Sequence, residues 1–163
     1  MVLRLNLLLI SALLLYAPAA FGDAPSSGRG PLDGMTFVGK FGPADKPLDT
    51  DDRLHFDDGQ FWSAICVKCG FHPGRYWVRE DSEGMHFLGE LVSERGRFRY
   101  HGRVKNGRIE VRINWRKERW YWTIDRDFRF EGTLENADAA PSAQDASSVA
   151  AAVGPERPES CRL

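Results

Sequence analysis

Apolar and polar side chains alternate on both sides of an Asn106-Gly107 pair, and this alternation constrains the fold more than any other feature of the chain. The apolar-parity positions are Phe98, Tyr100, Gly102 and Val104 before the pair, and Ile109, Val111, Ile113 and Trp115 after it. A period of two is typical of a strand with one buried face, and Asn-Gly is the strongest short hairpin signal. A two-residue turn would place Val104 opposite Ile109, so turn and pattern agree on one register. The segment therefore predicts an antiparallel hairpin.

The same pattern recurs along most of the chain, and no stretch after the N-terminal segment keeps helical spacing over three turns. Further hairpins are predicted for 53–64 and 76–92, a first strand for 35–41, and one helical turn for 63–70. Residues 119–134 would span about 50 Å as one strand, so we expect a bend or split at 125–127. Closing such a meander removes its exposed edges. The predicted fold class is all-β: an antiparallel up-and-down meander closing into a roughly eight-stranded barrel, with a disordered C-terminal tail.

The first 22 residues are typical of a secretory signal peptide. Arg4 precedes an apolar run of about 13 residues, and the small residues Ala20 and Gly22 stand where a signal peptidase would cleave. A bilayer core requires about 20 apolar residues, so this run does not predict a membrane-spanning helix. We expect an exported protein, periplasmic or secreted, in an oxidising compartment.

The remaining chain divides by composition. Residues 23–31 are rich in Ser, Gly and Pro and predict a flexible lead, and residues 32–135 form the predicted barrel domain. Residues 136–163 are a low-complexity Ala/Ser/Pro tail, with too few large apolar side chains to offset the entropy of ordering. A chain of 163 residues with 42% apolar content fits one domain and excludes a multidomain enzyme.

The inward-facing parity is bulky and aromatic. An eight-stranded barrel is just wide enough to fill itself with side chains or to hold one small ligand. The candidate ligand contacts are Tyr100, Trp115, Trp122 and Arg126. Arg126 either clamps a ligand carboxylate from inside the barrel or lies in a bulge and points to water. The leading hypothesis is an exported binding protein for a small apolar or amphipathic ligand at one end of the barrel.

The outward-facing parity of residues 95–119 is strongly basic. The candidate anion-binding residues are Arg97, Arg99, Arg103, Arg108, Arg112 and Arg116. Such a face is typical of an interaction module that binds an anionic surface or protein partner, and also of a solvated outer face, which is the favoured interpretation. Because the aromatic side chains take the opposite parity and cannot stack on bases, we expect no specific nucleic-acid binding.

Cys66 and Cys69 form a Cys-x-x-Cys motif. A structural disulfide between them is the favoured interpretation, because an oxidising compartment disfavours free thiolates and the strand-helix-strand context of redox motifs is missing. A weaker alternative is a redox or metal protein, with Cys66, Cys69 and His72 as ligands and His55 or His86 as a fourth. Cys161 makes the count odd, which leaves three pairings open.

No catalytic motif is found, so the sequence predicts neither an enzyme nor a cofactor or metal. The chain does resemble a group of small exported bacterial proteins with lipocalin-like (calycin) barrels. The resemblance lies in Phe61, Trp62, Ser63, Cys66, Gly70, Phe71 and Tyr76, and in the closing segment 128–134. It implies the barrel shape and the binding of a small apolar ligand.

Overall fold

The computed structural model describes residues 30–135, 141–154 and Cys161. Within them, eight antiparallel strands form one closed barrel in which each strand pairs with the next and the last returns to the first. The strands are β1 (Thr36–Pro43), β2 (Thr50–Asp57), β3 (Gln60–Ser63), β4 (Gly74–Asp81), β5 (Gly84–Ser93), β6 (Gly96–Lys105), β7 (Arg108–Arg119) and β8 (Trp122–Glu135). Two short helices are added, α1 (Ala64–Lys68) and α2 (Ala143–Ala151). The predicted all-β barrel is confirmed.

The β6–β7 hairpin has the register that its turn predicts. Val104 lies opposite Ile109 and Phe98 opposite Trp115. Asn106 and Gly107 both have positive φ, 51° and 72°, as a two-residue hairpin turn requires. Since a slip by one residue would turn every apolar side chain outward, the buried face and the turn together define this register.

The expected bend or split at 125–127 is wrong, because β8 runs unbroken from Trp122 to Glu135. Its first half projects beyond the barrel. β8 pairs with β1 only from Phe128 onward, and β7 pairs with β6 only as far as Arg116. The long strand therefore needs no bend, since β8 before Phe128 pairs with β7 alone and continues past the rim as a ribbon with the end of β7, two-stranded over residues 117–124.

Aromatic rings fill the barrel. Phe56 lies at the centre, with ring centroids 5.1 Å from Tyr76, 5.2 Å from Phe87 and 6.0 Å from Phe61. The rings of Phe61 and Phe87 occupy the space in which a Cβ at Gly89 or Gly102 would lie. The sheet therefore approaches the core closely at these two glycines.

The predicted helical turn is α1, which closes one end of the barrel. Ser63 is its N-cap, where its side chain accepts a hydrogen bond from the Cys66 backbone N–H at 3.1 Å. Gly70 follows the helix with φ 81°, the left-handed conformation that commonly ends a helix.

The disorder expected for the tail is wrong for its described part. Helix α2 begins after Ser142, which caps it, and buries Ala143, Ala146 and Ala150 in a cluster with Trp62 and Val67. Cys161 is bonded to Cys69. Composition does not predict this helix, because alanine side chains bury little apolar area themselves. They nevertheless allow the helix to pack closely on a tryptophan.

The rest of the tail (136–140, 155–160 and 162–163), the predicted signal peptide and nearly all of the predicted lead lie outside the described residues. In the part of the chain that is described, neither helix is long and apolar enough to cross a bilayer.

Candidate functional site

The barrel interior leaves little space. A cavity of about 20 Å³ lies beneath α1, bordered by Phe98, Trp115, Cys66 and the Cys69–Cys161 pair. That volume holds about one water molecule. The sequence allowed either a filled interior or a ligand-binding interior. Beneath α1 the interior is filled by aromatic side chains and has no room for an organic ligand.

The four predicted ligand contacts do not share one site, although Trp115 and Arg126 are directly opposite each other in the β7–β8 ladder. Tyr100 and Trp115 are buried, with 1% and 4% of their surface exposed, whereas Trp122 and Arg126 are exposed on the projecting ribbon. Arg126 borders an open cleft of about 490 Å³ at the rim, next to Lys46 and Phe128. The inward parity of Trp122 and Arg126 brings no burial, because β8 has no β1 strand beside it before Phe128.

The favoured Cys66–Cys69 disulfide is wrong. Cys69 is bonded to Cys161, with Cα atoms 5.6 Å apart, and Cys66 is a buried free thiol. The reason is position: Cys66 Sγ enters the barrel and lies 3.3 Å from the Tyr100 hydroxyl, while Cys69 caps α1 on the side that the tail reaches. The bridge also removes Cys69 from any metal site. Among the described residues, no group of three or more His, Cys, Asp or Glu side chains could hold a metal ion.

Burial disfavours the charged forms of the titratable groups beneath α1. Desolvation raises the pKa of Cys66 to about 12, and the nearby Asp52 adds to the effect. Burial also raises the pKa of Asp52, although its carboxylate accepts hydrogen bonds from the Ser63 hydroxyl at 2.7 Å and the Ile65 backbone N–H at 3.1 Å. Nucleophilic and redox cysteines require the thiolate. This corner is therefore suited to holding α1 in place rather than to chemistry.

The six predicted arginines do lie on the outer face, five of them exposed and Arg103 partly buried. Most are neutralised locally. Arg97 and Arg99 share Glu90, Arg103 pairs with Glu83 and Glu110, and Arg116 pairs with Glu118. Within the described residues, only Arg108 and Arg112 of the six have no ion-pair partner. The free positive charge is thus more localised than the sequence indicates.

Arg112 belongs to a row of outward-facing residues that crosses five strands. The row is Trp77, Leu88, His101, Arg112 and Arg129, each directly opposite the next. These five residues line an open concavity of about 800 Å³ on the outer face, here called the outer groove. Ligand pockets commonly have volumes of about 300–1,000 Å³. The floor of the outer groove includes Gly102, where the sheet lies close to the core.

The two ends of the outer groove differ in chemistry. Trp77 and Leu88 are 49% and 50% exposed and form its apolar end. Arg112 and Arg129 lie at its other end, which Glu110 and Glu131 also line; Arg129 pairs with Glu131 at 3.3 Å and donates to the Lys46 carbonyl. Arg129 Nε is a buried donor with no partner in 30–135, 141–154 or Cys161. The outer groove can therefore accept a molecule that has an apolar portion and an anionic group.

Sequence reasoning missed Trp77, Leu88, His101 and Arg129 as site residues. A signal was present, since Trp77 and Leu88 occupy the outward parity, where a half-buried strand normally has polar residues. Their meeting with Arg112 depends on the lateral order of five strands, which alternation alone does not specify.

Searches with this chain found no match among protein-family models, curated proteins or solved structures.

Proposed function

We propose that this protein is an exported binding protein whose ligand is a small amphipathic anion, held in the outer groove rather than inside the barrel. The main observation in support is that two arginines, Arg112 and Arg129, lie directly opposite each other in the β7–β8 ladder. Like charges in directly opposed positions destabilise a sheet. A bound carboxylate, sulfate or phosphate group between them would convert this repulsion into charge-assisted hydrogen bonds.

The donors at this end suit an anion. Arg112 has no ion-pair partner among the described residues, and Arg129 Nε is a buried donor without an acceptor. Guanidinium groups recognise planar and tetrahedral anions through paired N–H donors. His101, between Leu88 and Arg112 in the row, adds a polar side chain at the boundary with the apolar end.

The apolar end supports an amphipathic ligand over an inorganic ion. Half of the surface of Trp77 and of Leu88 is in water, next to each other on adjacent strands. An alkyl chain or aromatic ring placed on them would remove apolar area from water at about 25 cal/mol per Å². A free phosphate or sulfate would gain nothing from this end.

The proposal includes export and a lipocalin-like shape, and two observations support these parts. A closed eight-stranded antiparallel barrel is consistent with the calycin architecture. The Cys69–Cys161 disulfide is compatible with an oxidising compartment outside the cytoplasm.

The test uses dodecanoate as the probe, followed by amide NMR titration, with dodecanol and dodecyltrimethylammonium as matched neutral and cationic chains. We expect saturable shifts centred on the five groove residues with dodecanoate, and much weaker ones with the other two probes. R112Q should weaken dodecanoate binding about tenfold or more, since a hydrogen bond to a charged group contributes about 1.5–3 kcal/mol. W77A should weaken it as well.

R108Q is the matched control, because Arg108 lies on the same strand, is exposed, has no ion-pair partner among the described residues and does not line the outer groove. It should leave dodecanoate binding unchanged. Equal losses from R108Q and R112Q, with binding abolished by salt, would support the alternative of a diffuse anion-binding face. Shifts confined to residues inside the barrel would refute the outer groove as the site.

A further inference from the structure

A second exposed feature lies at the end of the β7–β8 ribbon and plays no part in the proposed ligand binding. Trp120, Tyr121 and Trp122, here called the aromatic tip, form the turn and the first residue of β8. Their exposed fractions are 93%, 59% and 46%. Monomeric soluble proteins rarely expose a contiguous apolar patch of this kind unless it binds something.

In the part of the chain that the structure describes, the rings of the aromatic tip contact no aromatic ring outside the tip. Trp120 and Tyr121 meet edge to face at 4.7 Å between ring centroids, and Tyr121 and Trp122 are 6.1 Å apart. Beyond Arg116, β7 has only β8 beside it, and before Phe128, β8 has only β7. The three side chains therefore stand at the far end of a narrow ribbon, away from the barrel.

The charges beside the aromatic tip are mainly basic. Residues 116–119 contain three basic side chains and one acidic side chain, Glu118, which pairs with Arg116 at 3.1 Å. The Arg119 guanidinium lies 6.0 Å from the centre of the Trp122 ring. The acidic residues on the other strand of the ribbon, Asp125 and Asp127, both accept hydrogen bonds from the Asn114 side chain, back toward the barrel. Positive charge therefore accompanies the aromatic side chains at the outer end.

We propose that the aromatic tip inserts into the headgroup region of a bilayer that contains anionic phospholipid, so that the protein binds peripherally to a membrane surface. Tryptophan and tyrosine are the residues enriched at membrane–water interfaces, where an apolar ring and a polar edge are both solvated. Basic side chains next to them are attracted to anionic headgroups while their stems stay at the boundary. A narrow convex ribbon also suits a deformable lipid surface better than a preformed protein pocket.

The test compares variants of the full chain, so that residues 1–22 are the same in each and their contribution cancels. Vesicles of phosphatidylcholine with 30% phosphatidylglycerol, in unlabelled and brominated forms, are the probe. We expect brominated lipid to quench the tryptophan emission of the wild type, and W120A/W122A to lose that quenching, with at least about a tenfold weaker partitioning. Vesicles of phosphatidylcholine alone should bind more weakly than the anionic vesicles.

Two matched variants sharpen the test. W77A removes an exposed tryptophan outside the aromatic tip and should keep the lipid quenching. R119Q should reduce binding to anionic vesicles, whereas R108Q, distant from the tip, should not. Circular dichroism should give all variants the wild-type spectrum, because neither the aromatic tip nor these side chains belong to the core.

Three results would overturn the proposal. One is equal quenching in W120A/W122A and the wild type. Another is equal binding to neutral and anionic vesicles, which would remove the role of the basic residues. The third is a concentration-dependent dimer, seen by analytical ultracentrifugation, that W120A/W122A abolishes while vesicles leave the wild type unquenched; a second copy would then be the partner. Loss of dodecanoate binding would not bear on the aromatic tip, and the reverse also holds.

Discussion

Cys66 and Cys69 stand three positions apart but have different chemical environments. Cys66 enters a buried corner beside Tyr100, where burial raises its pKa to about 12, while Cys69 forms the bridge to Cys161. Sequence spacing shows that two cysteines are close to each other. It does not show that a third cysteine, distant in sequence, forms the disulfide with one of them.

The cysteine assignment predicts a definite thiol count. Ellman's reagent should find no reactive thiol in the native protein, one per chain after denaturation and three after reduction, because only Cys66 is free and it is buried. Trypsin cleaves after Lys68 and separates Cys66 from Cys69. A non-reducing digest, alkylated during denaturation, should link the Cys69 peptide to the Cys161 peptide. A linked Cys66–Cys69 pair would contradict the structure.

His55 predicts a pH dependence of stability. It is buried, stacks on Trp62 at 5.3 Å and shares a 3.0 Å hydrogen bond with Thr36, and burial lowers its pKa below the usual 6.5. Below pH 6.5 the unfolded chain takes up this proton more readily than the folded chain. The stabilisation by neutral His55 is thus complete above pH 6.5 and is lost as the pH falls through the lowered pKa.

Guanidinium unfolding between pH 7.5 and 5 measures this effect. We expect the wild type to lose up to about 1.4 kcal/mol per pH unit relative to H55N in this window. The comparison isolates His55, because Asp52 is present in both proteins and its raised pKa acts in the opposite direction, lowering stability as the pH rises above 3.8. Identical pH profiles for the two proteins would exclude His55.

For single residues, the sequence predicts whether a side chain faces into or out of the barrel, but not which ion-pair partner it has. Parity places Arg97, Arg99 and Arg112 outside the barrel, as observed. Which of them keeps a free charge depends on acids from other strands and turns, such as Glu83, which reaches Arg103 and Lys105 at 3.7 Å. Those contacts arise from the lateral packing of strands, and a single strand pattern contains no information about them.

Among the elements, helix α2 is the one that composition predicts least well. Its buried residues are alanines, and its partner Trp62 lies far away in sequence. Strands were predictable because period two marks a buried face locally. The length of β8 was misjudged because the pattern continues past the rim, where inward parity no longer means burial.

The bridge between α1 and the tail should contribute a large part of the stability. It closes a loop with a sequence separation of 92, and removing such a disulfide typically costs about 2–5 kcal/mol. We expect C66A/C161S to unfold at lower guanidinium concentration than C66A by this amount. The C66A background prevents Cys66 from replacing Cys161. Equal midpoints for the two proteins would show that the bridge contributes nothing to stability.

At the scale of the whole molecule, the barrel interior is filled by its own side chains. Phe56, Phe61, Phe87 and Phe98 all have 1% or less of their surface exposed, and glycines against the rings of Phe61 and Phe87 let the wall close around these two. Both binding sites that we propose therefore lie outside the barrel, on its outer surface and beyond its rim. The apolar end of the outer groove and the aromatic tip both consist of large exposed side chains, which alternation alone does not identify as surface features.

The filled interior predicts that a cavity must be made before a ligand can enter. F61A removes a fully buried ring that contacts Phe56, Phe87 and Tyr100, and should cost about 3–5 kcal/mol. Loss of the Phe61 ring would leave an apolar cavity, and engineered apolar cavities can bind benzene. Benzene should therefore raise the melting temperature of F61A but not that of the wild type. W120A, which removes an exposed ring and leaves no cavity, is the control and should behave like the wild type. Stabilisation of the wild type by benzene would mean that the barrel opens to ligands, and the site would then have to be sought inside it.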